Sequence, residues 1–173
     1  FNSAVTTGTS VVLSDTVAGQ TIRFADNLST PVLTTTAHGY HLELLGTNTS
    51  VNGNTTFLNT GNVVLGNAAT DTLSFAGGLT ATAANTINMG GVISTNNAGI
   101  SLGSTAITLN ANTSLSAGTG AISLNSTVDS AASTTQALTI NSTGVTTFNN
   151  KVGDVDALAS LTTNSGGSLV MNA

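Results

Sequence analysis

Leu73-Ser74-Phe75-Ala76-Gly77-Gly78-Leu79 has the form apolar-x-apolar-x-x-x-apolar, and the same phrase recurs along the whole chain. It stands at Val11-Val12-Leu13-Ser14-Asp15-Thr16-Val17 and at Ile22-Arg23-Phe24-Ala25-Asp26-Asn27-Leu28. It returns as Ile87-x-Met89-x-x-x-Ile93 and Ile122-x-Leu124-x-x-x-Val128, with weaker forms beginning at Val63 and Ile100. Two apolar residues two apart put both side chains on one face of a strand. The three small or polar residues that follow let the chain turn before the next apolar residue points inward. Each phrase therefore reads as a strand, a corner and the start of the next strand. A phrase repeated at this density decides the architecture before any single residue is weighed.

The third positions of successive phrases, among them Leu13, Phe24, Leu65, Phe75, Met89, Leu102, Leu124 and Phe148, fall mostly about 10 to 14 residues apart or about twice that. Two stretches give the length of a coil. Leu124-Asn125 aligns with Phe148-Asn149, Val128 with Val152, and Leu138-Thr139-Ile140-Asn141 with Leu161-Thr162-Thr163-Asn164. The spacing predicts an all-β, right-handed parallel β-helix of roughly seven or eight coils, each of about 20 to 24 residues. At the usual strand spacing it would be a rod on the order of 35 Å long. Residues 1–173 read as a single β-solenoid domain. The stretch 30–62 breaks the rhythm with Pro31, Tyr40, His38, His41 and Glu43, and is expected to hold an irregular coil or insertion. Residues 154–161 have helix-like spacing but read equally as a corner leading into a strand at Leu161.

Composition fits a stack of thin layers. Charged residues make up 5% and aromatics 3%, with one Pro, no Cys and no Trp, against a usual charged share of about a quarter. A hydrophobic fraction of 39% and a mean hydropathy of +0.28 argue against disorder, which needs low hydrophobicity with high charge. The absence of Cys removes disulfides and thiolate metal sites. No run approaches the ~18 apolar residues of a membrane helix. Net charge is −5 and Arg23 and Lys151 are the only Lys or Arg side chains, so nucleic acid is excluded as a partner, because binding it requires a field of basic groups.

Few groups could carry chemistry. His41 and Glu43 would share one face of a strand, a carboxylate–imidazole pair that is the sole candidate polar site, and no third metal ligand stands at a fixed spacing. Asp154 and Asp156 read as a solvated corner rather than a calcium loop. Carbohydrate cleavage needs paired carboxylates in one groove, and the seven acids here are dispersed. No enzyme, metal or cofactor is therefore expected. Asn110, Asn125, Asn141 and Asn149 each follow a strand, as turn formers, as members of an amide ladder, or as both. Thr-x-Thr pairs at 7/9, 34/36, 47/49, 70/72 and 80/82 raise a flat hydroxyl face, at irregular intervals.

The runs Ala137-Leu138-Thr139-Ile140-Asn141-Ser142-Thr143-Gly144-Val145-Thr146-Thr147-Phe148 and Ala157-Leu158-Ala159-Ser160-Leu161-Thr162-Thr163-Asn164 resemble the strand repeats of large bacterial surface proteins, the filamentous-haemagglutinin-like adhesins and autotransporter passengers. That resemblance implies a β-solenoid outside the cell, at the bacterial surface, serving as stalk, filament or adhesive fibre. No functional residue transfers with it. Phe1-Asn2-Ser3-Ala4-Val5 matches Phe148-Asn149-Asn150-Lys151-Val152 as the back half of a phrase, and no cap is read at either end. Self-association through Phe1, Val5, Leu169 and Met171 is therefore expected, the partner being another copy or flanking repeats of the same chain. The alternative is a surface module that binds host or matrix glycans, or ice, through a flat Thr/Asn face.

Overall fold

The computed structural model describes residues 1–14, 17–164 and 166–172. Among them there is no helix, and parallel strands stack as a β-solenoid of about seven turns. The first coil holds β1 (Val5–Thr6), β2 (Val11–Leu13) and β3 (Thr21–Phe24), and the second β4 (Leu28–Thr30), β5 (Leu33–Thr35) and β6 (His41–Leu44). The third holds β7 (Asn48–Val51), β8 (Thr55–Thr56) and β9 (Val63–Leu65), followed by β10 (Thr72–Phe75) and β11 (Leu79–Ala81). Two long strands, β12 (Thr86–Ser94) and β14 (Ala106–Gly118), run around a corner on either side of β13 (Ile100–Leu102). β15 (Ile122–Leu124), β16 (Thr127–Ser130), β17 (Ala137–Ser142), β18 (Val145–Phe148), β19 (Ser160–Thr163) and β20 (Ser168–Met171) complete the order.

These strands lie on three faces. The first face stacks β1, β4, β7, β10, the second halves of β12 and β14, β17 and β19. The second carries β2 and β5, then β8, β11, β13, β15, β18 and β20. The third carries β3, β6, β9, the first halves of β12 and β14, and β16. Register follows the pairs read from sequence: Leu124 lies beside Phe148, Val128 bridges Val152, and Leu138 pairs with Leu161. The corner in β12 is cut by Gly91 at φ 82°, where a Cβ would sit 2.3 Å from the Asp71 carbonyl oxygen, so only glycine fits.

Burial explains why the phrase works. All eight third positions are buried, from Leu13 at 5% exposure to Phe148 at 0%. The phrase does not belong to one face, however. Leu13 and Phe148 lie on the second, Phe24 and Met89 on the third, and Phe75 on the first. The phrase at Val11 passes through Asp15 and Thr16, which lie outside the described residues. Within 30–62, expected as an irregular coil or insertion, β6 pairs with β3 and β9, and β7 pairs with β4 and β10. From β5 to β8 the stack is joined through a side chain: the Thr35 hydroxyl donates to Thr56 O at 3.3 Å and accepts from Leu58 N–H at 2.7 Å. Tyr40 is fully buried, its hydroxyl donating to Leu13 O at 3.2 Å. At 154–161 the chain turns a corner into β19.

Candidate functional site

β6 alternates Leu42 and Leu44 inward with His41 and Glu43 half-buried on the outer third face. Glu43 stands in register with Arg23 and forms an ion pair with it. The hydrogen bond to Glu43, and then its charge, push the Arg23 guanidinium above its ordinary pKa. His41 turns the other way along the stack: its Nδ1 accepts the Asn62 N–H at 2.8 Å, which leaves the proton of a neutral ring on Nε2. The two side chains thus share a face, yet each is engaged with a different neighbouring coil. Among the described residues no three His, Cys, Asp or Glu side chains converge as metal ligands. Asp154 pairs with Lys151 Nζ at 3.0 Å, and Asp129 Oδ1 accepts Val155 N–H at 3.1 Å.

The larger feature is an arrangement of hydroxyls. On the first face Thr6, Ser29, Ser50, Ser74, Ser94 and Ser116 stand in register and point outward, with Asn141 next in line. A second rank beside them runs through Asn48, Thr72, Val92, Ser114, Thr139 and Thr162. On the second face Thr56, Thr80, Ser101, Ser123 and Thr147 form another column. Rung spacing sets neighbours in a column about 4.8 Å apart, and ranks two residues apart lie about 6.6 Å across. The Thr-x-Thr spacing did not locate these columns: Thr49 points inward and is buried, Thr72 is in a first-face rank, and Thr34 and Thr80 are on the second face. The signal in the sequence is instead an apolar residue followed by Ser, at Leu28-Ser29, Leu73-Ser74, Ile93-Ser94, Ile100-Ser101, Leu115-Ser116 and Ile122-Ser123.

Charge is kept off these faces. Arg23, Glu43 and Asp129 lie on third-face strands, and Lys151, Asp154 and Asp156 on the loop that passes Val152 beside that face. Asp26 and Asp71 sit on the turns that lead into the first-face strands β4 and β10, and among the described residues no strand of the first or second face contains a charged residue. Asparagines following second-face strands form a ladder: Asn172 Nδ2 donates to Asn149 Oδ1 at 2.8 Å, Asn149 Nδ2 to Asn125 Oδ1 at 3.0 Å, and Asn125 Nδ2 to Ser101 Oγ at 3.1 Å. Asn141 bonds to Ser114 Oγ at 3.3 Å. None of Asn110, Asn125, Asn141 and Asn149 has a left-handed φ, so hydrogen bonding rather than turn conformation accounts for the ladder.

The residues expected to mediate self-association lie on the outermost rungs. Val5 pairs with Leu28, and Phe1 stacks on Phe24 with 4.7 Å between ring centres while remaining 62% exposed. Phe1 occupies the third face and Val5 the first, so this half phrase turns a different corner from Phe148 and Val152, which leads from the second face to the third. Leu169 and Met171 continue the inward columns of Thr146 and Phe148, yet are 47% and 49% exposed.

The chain matches no protein-family model, no curated protein and no solved structure. Its class rests on the fold alone: a three-faced parallel β-solenoid in which, among the described residues, the strands of two faces carry hydroxyls and no charge and the charged strand residues lie on the third. Among the described residues no helix is long and apolar enough to cross a membrane.

Proposed function

We propose that the chain is a structural and adhesive segment of an extracellular bacterial surface fibre, extended by stacking further rungs of the same kind on its ends, and not an enzyme. One observation carries this reading. Leu161, Leu169 and Met171 occupy inward positions whose counterparts one coil earlier, Leu138, Thr146 and Phe148, are buried, yet they are 38–49% exposed. Another rung laid on β19 and β20 would bury them and pair the open strand edge. The test is light scattering with negative-stain microscopy on the purified chain and on Leu169→Asp. Concentration-dependent growth along the rod axis, lost in the variant, is expected. A strictly monomeric species at high concentration would overturn the reading.

A second reading is favoured by the in-register hydroxyl columns. An uncharged face of Ser and Thr at rung spacing suits a neutral, hydroxyl-rich surface, a glycan or ice, better than a charged partner. Glycan-array binding tests the glycan arm and ice recrystallisation the other. Lys in place of Ser74, Ser94 and Ser116 should abolish an activity carried by the first face, while activity intact in that variant would remove this face and leave the second-face column of Thr80, Ser101 and Ser123.

A further inference from the structure

At the corner where the first face gives way to the second, the residues just before Thr55, Leu79, Ile100, Ile122 and Thr146, which are in register, form a column of their own: Asn54, Gly78, Gly99, Ala121 and Val145. Side chains dwindle at three successive rungs and return with Asn54 at one end and Val145, 44% exposed, at the other. The result is a notch of about 390 Å³ spanning three rungs, ~10 Å from first to last, with Thr80, Ser101 and Ser123 in register along one wall. Gly78 needs to be glycine because its φ is +117°. Gly99 does not. Its φ lies outside the left-handed region, and a Cβ there would meet only Ala121 O, at an ordinary 3.5 Å. Neither backbone nor packing accounts for the missing side chain, whose effect is to keep the notch hollow.

We propose that this notch is a binding site for a neutral oligosaccharide, an inference that rests on the glycan arm of the second reading above. The lining chemistry argues by exclusion. No charged side chain borders the notch, so phosphate, sulfate and carboxylate ligands find no counter-charge. β11, β13 and β15 are each paired on both sides, which denies an extended peptide any free edge to join. Leu79 and Ile100 point inward at 1% exposure, so no open apolar pocket awaits a protein side chain. What remains is a ladder of hydroxyls at about 4.8 Å with the Asn54 amide at its end, beside a wall of glycine and alanine that permits close approach. These groups match a ligand dense in hydroxyls. Without an aromatic platform the affinity falls on the order of millimolar.

The experiment titrates the ¹⁵N-labelled chain with cellohexaose, maltohexaose and chitohexaose, and with a hyaluronate hexasaccharide as the charged comparison. Saturable shifts at the amides of Gly99, Ser101 and Ser123 are expected with at least one neutral probe. Gly99→Val should weaken binding at least tenfold with the remaining spectrum unchanged. The Ser101→Ala/Ser123→Ala double variant, which leaves the corner untouched, should weaken it as well. Undiminished binding by both variants overturns the notch. Shifts confined to Ser50, Ser74 and Ser94 overturn the notch but keep the glycan reading, and no shift anywhere with any probe overturns both. Binding of the hyaluronate probe alone overturns the neutral chemistry.

Discussion

Replacing Gly120 by Ala tests whether close stacking of backbones, rather than side-chain packing, sets the limits of this fold. A Cβ at Gly120 would lie 2.1 Å from Ala98 O and 2.3 Å from Ala98 C, backbone atoms of the neighbouring coil. The position is more than 1 Å inside ordinary contact, and no flexible side chain is there to yield. Relief requires the rungs to part, and they are held beside this corner by Ile100 N–H to Ala121 O at 2.9 Å and Thr119 N–H to Asn97 Oδ1 at 3.1 Å. Loss of one such bond, about 1 kcal/mol, with overpacking strain of about 1–3 kcal/mol, gives a destabilisation of about 2–4 kcal/mol. Gly8 is the matched control, because a Cβ there meets nothing within 4 Å. Gly8→Ala should stabilise by about 0.4–1 kcal/mol by restricting the unfolded chain. Equilibrium urea unfolding followed by far-UV circular dichroism compares the two, and hydrogen exchange at the Ile100 amide localises the effect. The reasoning fails if Gly120→Ala unfolds at the same midpoint as Gly8→Ala, or if Ile100 keeps its full protection.

The Asn ladder should behave as a set of discrete bonds: Asn149→Ala removes the contacts to both Asn125 and Asn172 and should cost about 1–2 kcal/mol in the same assay. An unchanged midpoint would assign the ladder no stabilising role. Asp71 is 2% exposed and its Oδ2 accepts the N–H groups of Asn67 and Ala68, each at 2.9 Å. Asp71→Ala should therefore lose about 2–4 kcal/mol, and Asp71→Asn, which keeps an acceptor oxygen, should recover part of it in thermal melts. Equal loss in both variants would show that the negative charge, not the acceptor, matters.

The coil was legible because parallel stacking converts sequence offsets directly into contacts. Leu124 beside Phe148 and Val128 beside Val152 both follow from the offset of 24 seen in the chain, and Leu138 beside Leu161 from the offset of 23. The assignment of faces was not legible, since Leu13, Phe24 and Phe75 have the same local pattern but lie on three different faces. Alternation tells a residue whether it points in or out, not which side of the coil it is on. The hydroxyl columns were hidden for the same reason. Ser74 and Ser94 are neighbours at an offset of 20, whereas Ser50 and Ser74 are neighbours at 24, so a fixed spacing cannot find them. The place of Tyr40 was hidden as well: its ring fills the interior, where its hydroxyl donates to Leu13 O.

In-register parallel stacking also accounts for the scarcity of charge. A charged residue repeated in every coil would face its like at about 4.8 Å, a repulsion of about 1 kcal/mol per neighbour in water and about 3–4 kcal/mol at an effective dielectric of ~20. The described strands avoid that pairing: Arg23 faces Glu43, Glu43 is followed by Val64, and Asp129 stands beside Thr108. The consequence can be tested on the first face. Ser74→Glu, Ser94→Glu and Ser116→Glu together create two adjacent like-charge pairs, because Ser94 is in register with both of the others. These side chains can lean into solvent, so the low-dielectric figure does not apply and the combined loss should be about 2 kcal/mol at low salt. Near 1 M salt, where screening acts over about 3 Å, most of it should return. The alternating variant, with Ser94→Lys between Ser74→Glu and Ser116→Glu, makes the same number of surface changes with attractive neighbours, and should unfold at or above the unsubstituted midpoint. If both triple variants lose stability equally and neither responds to salt, side-chain size rather than charge limits what the columns accept.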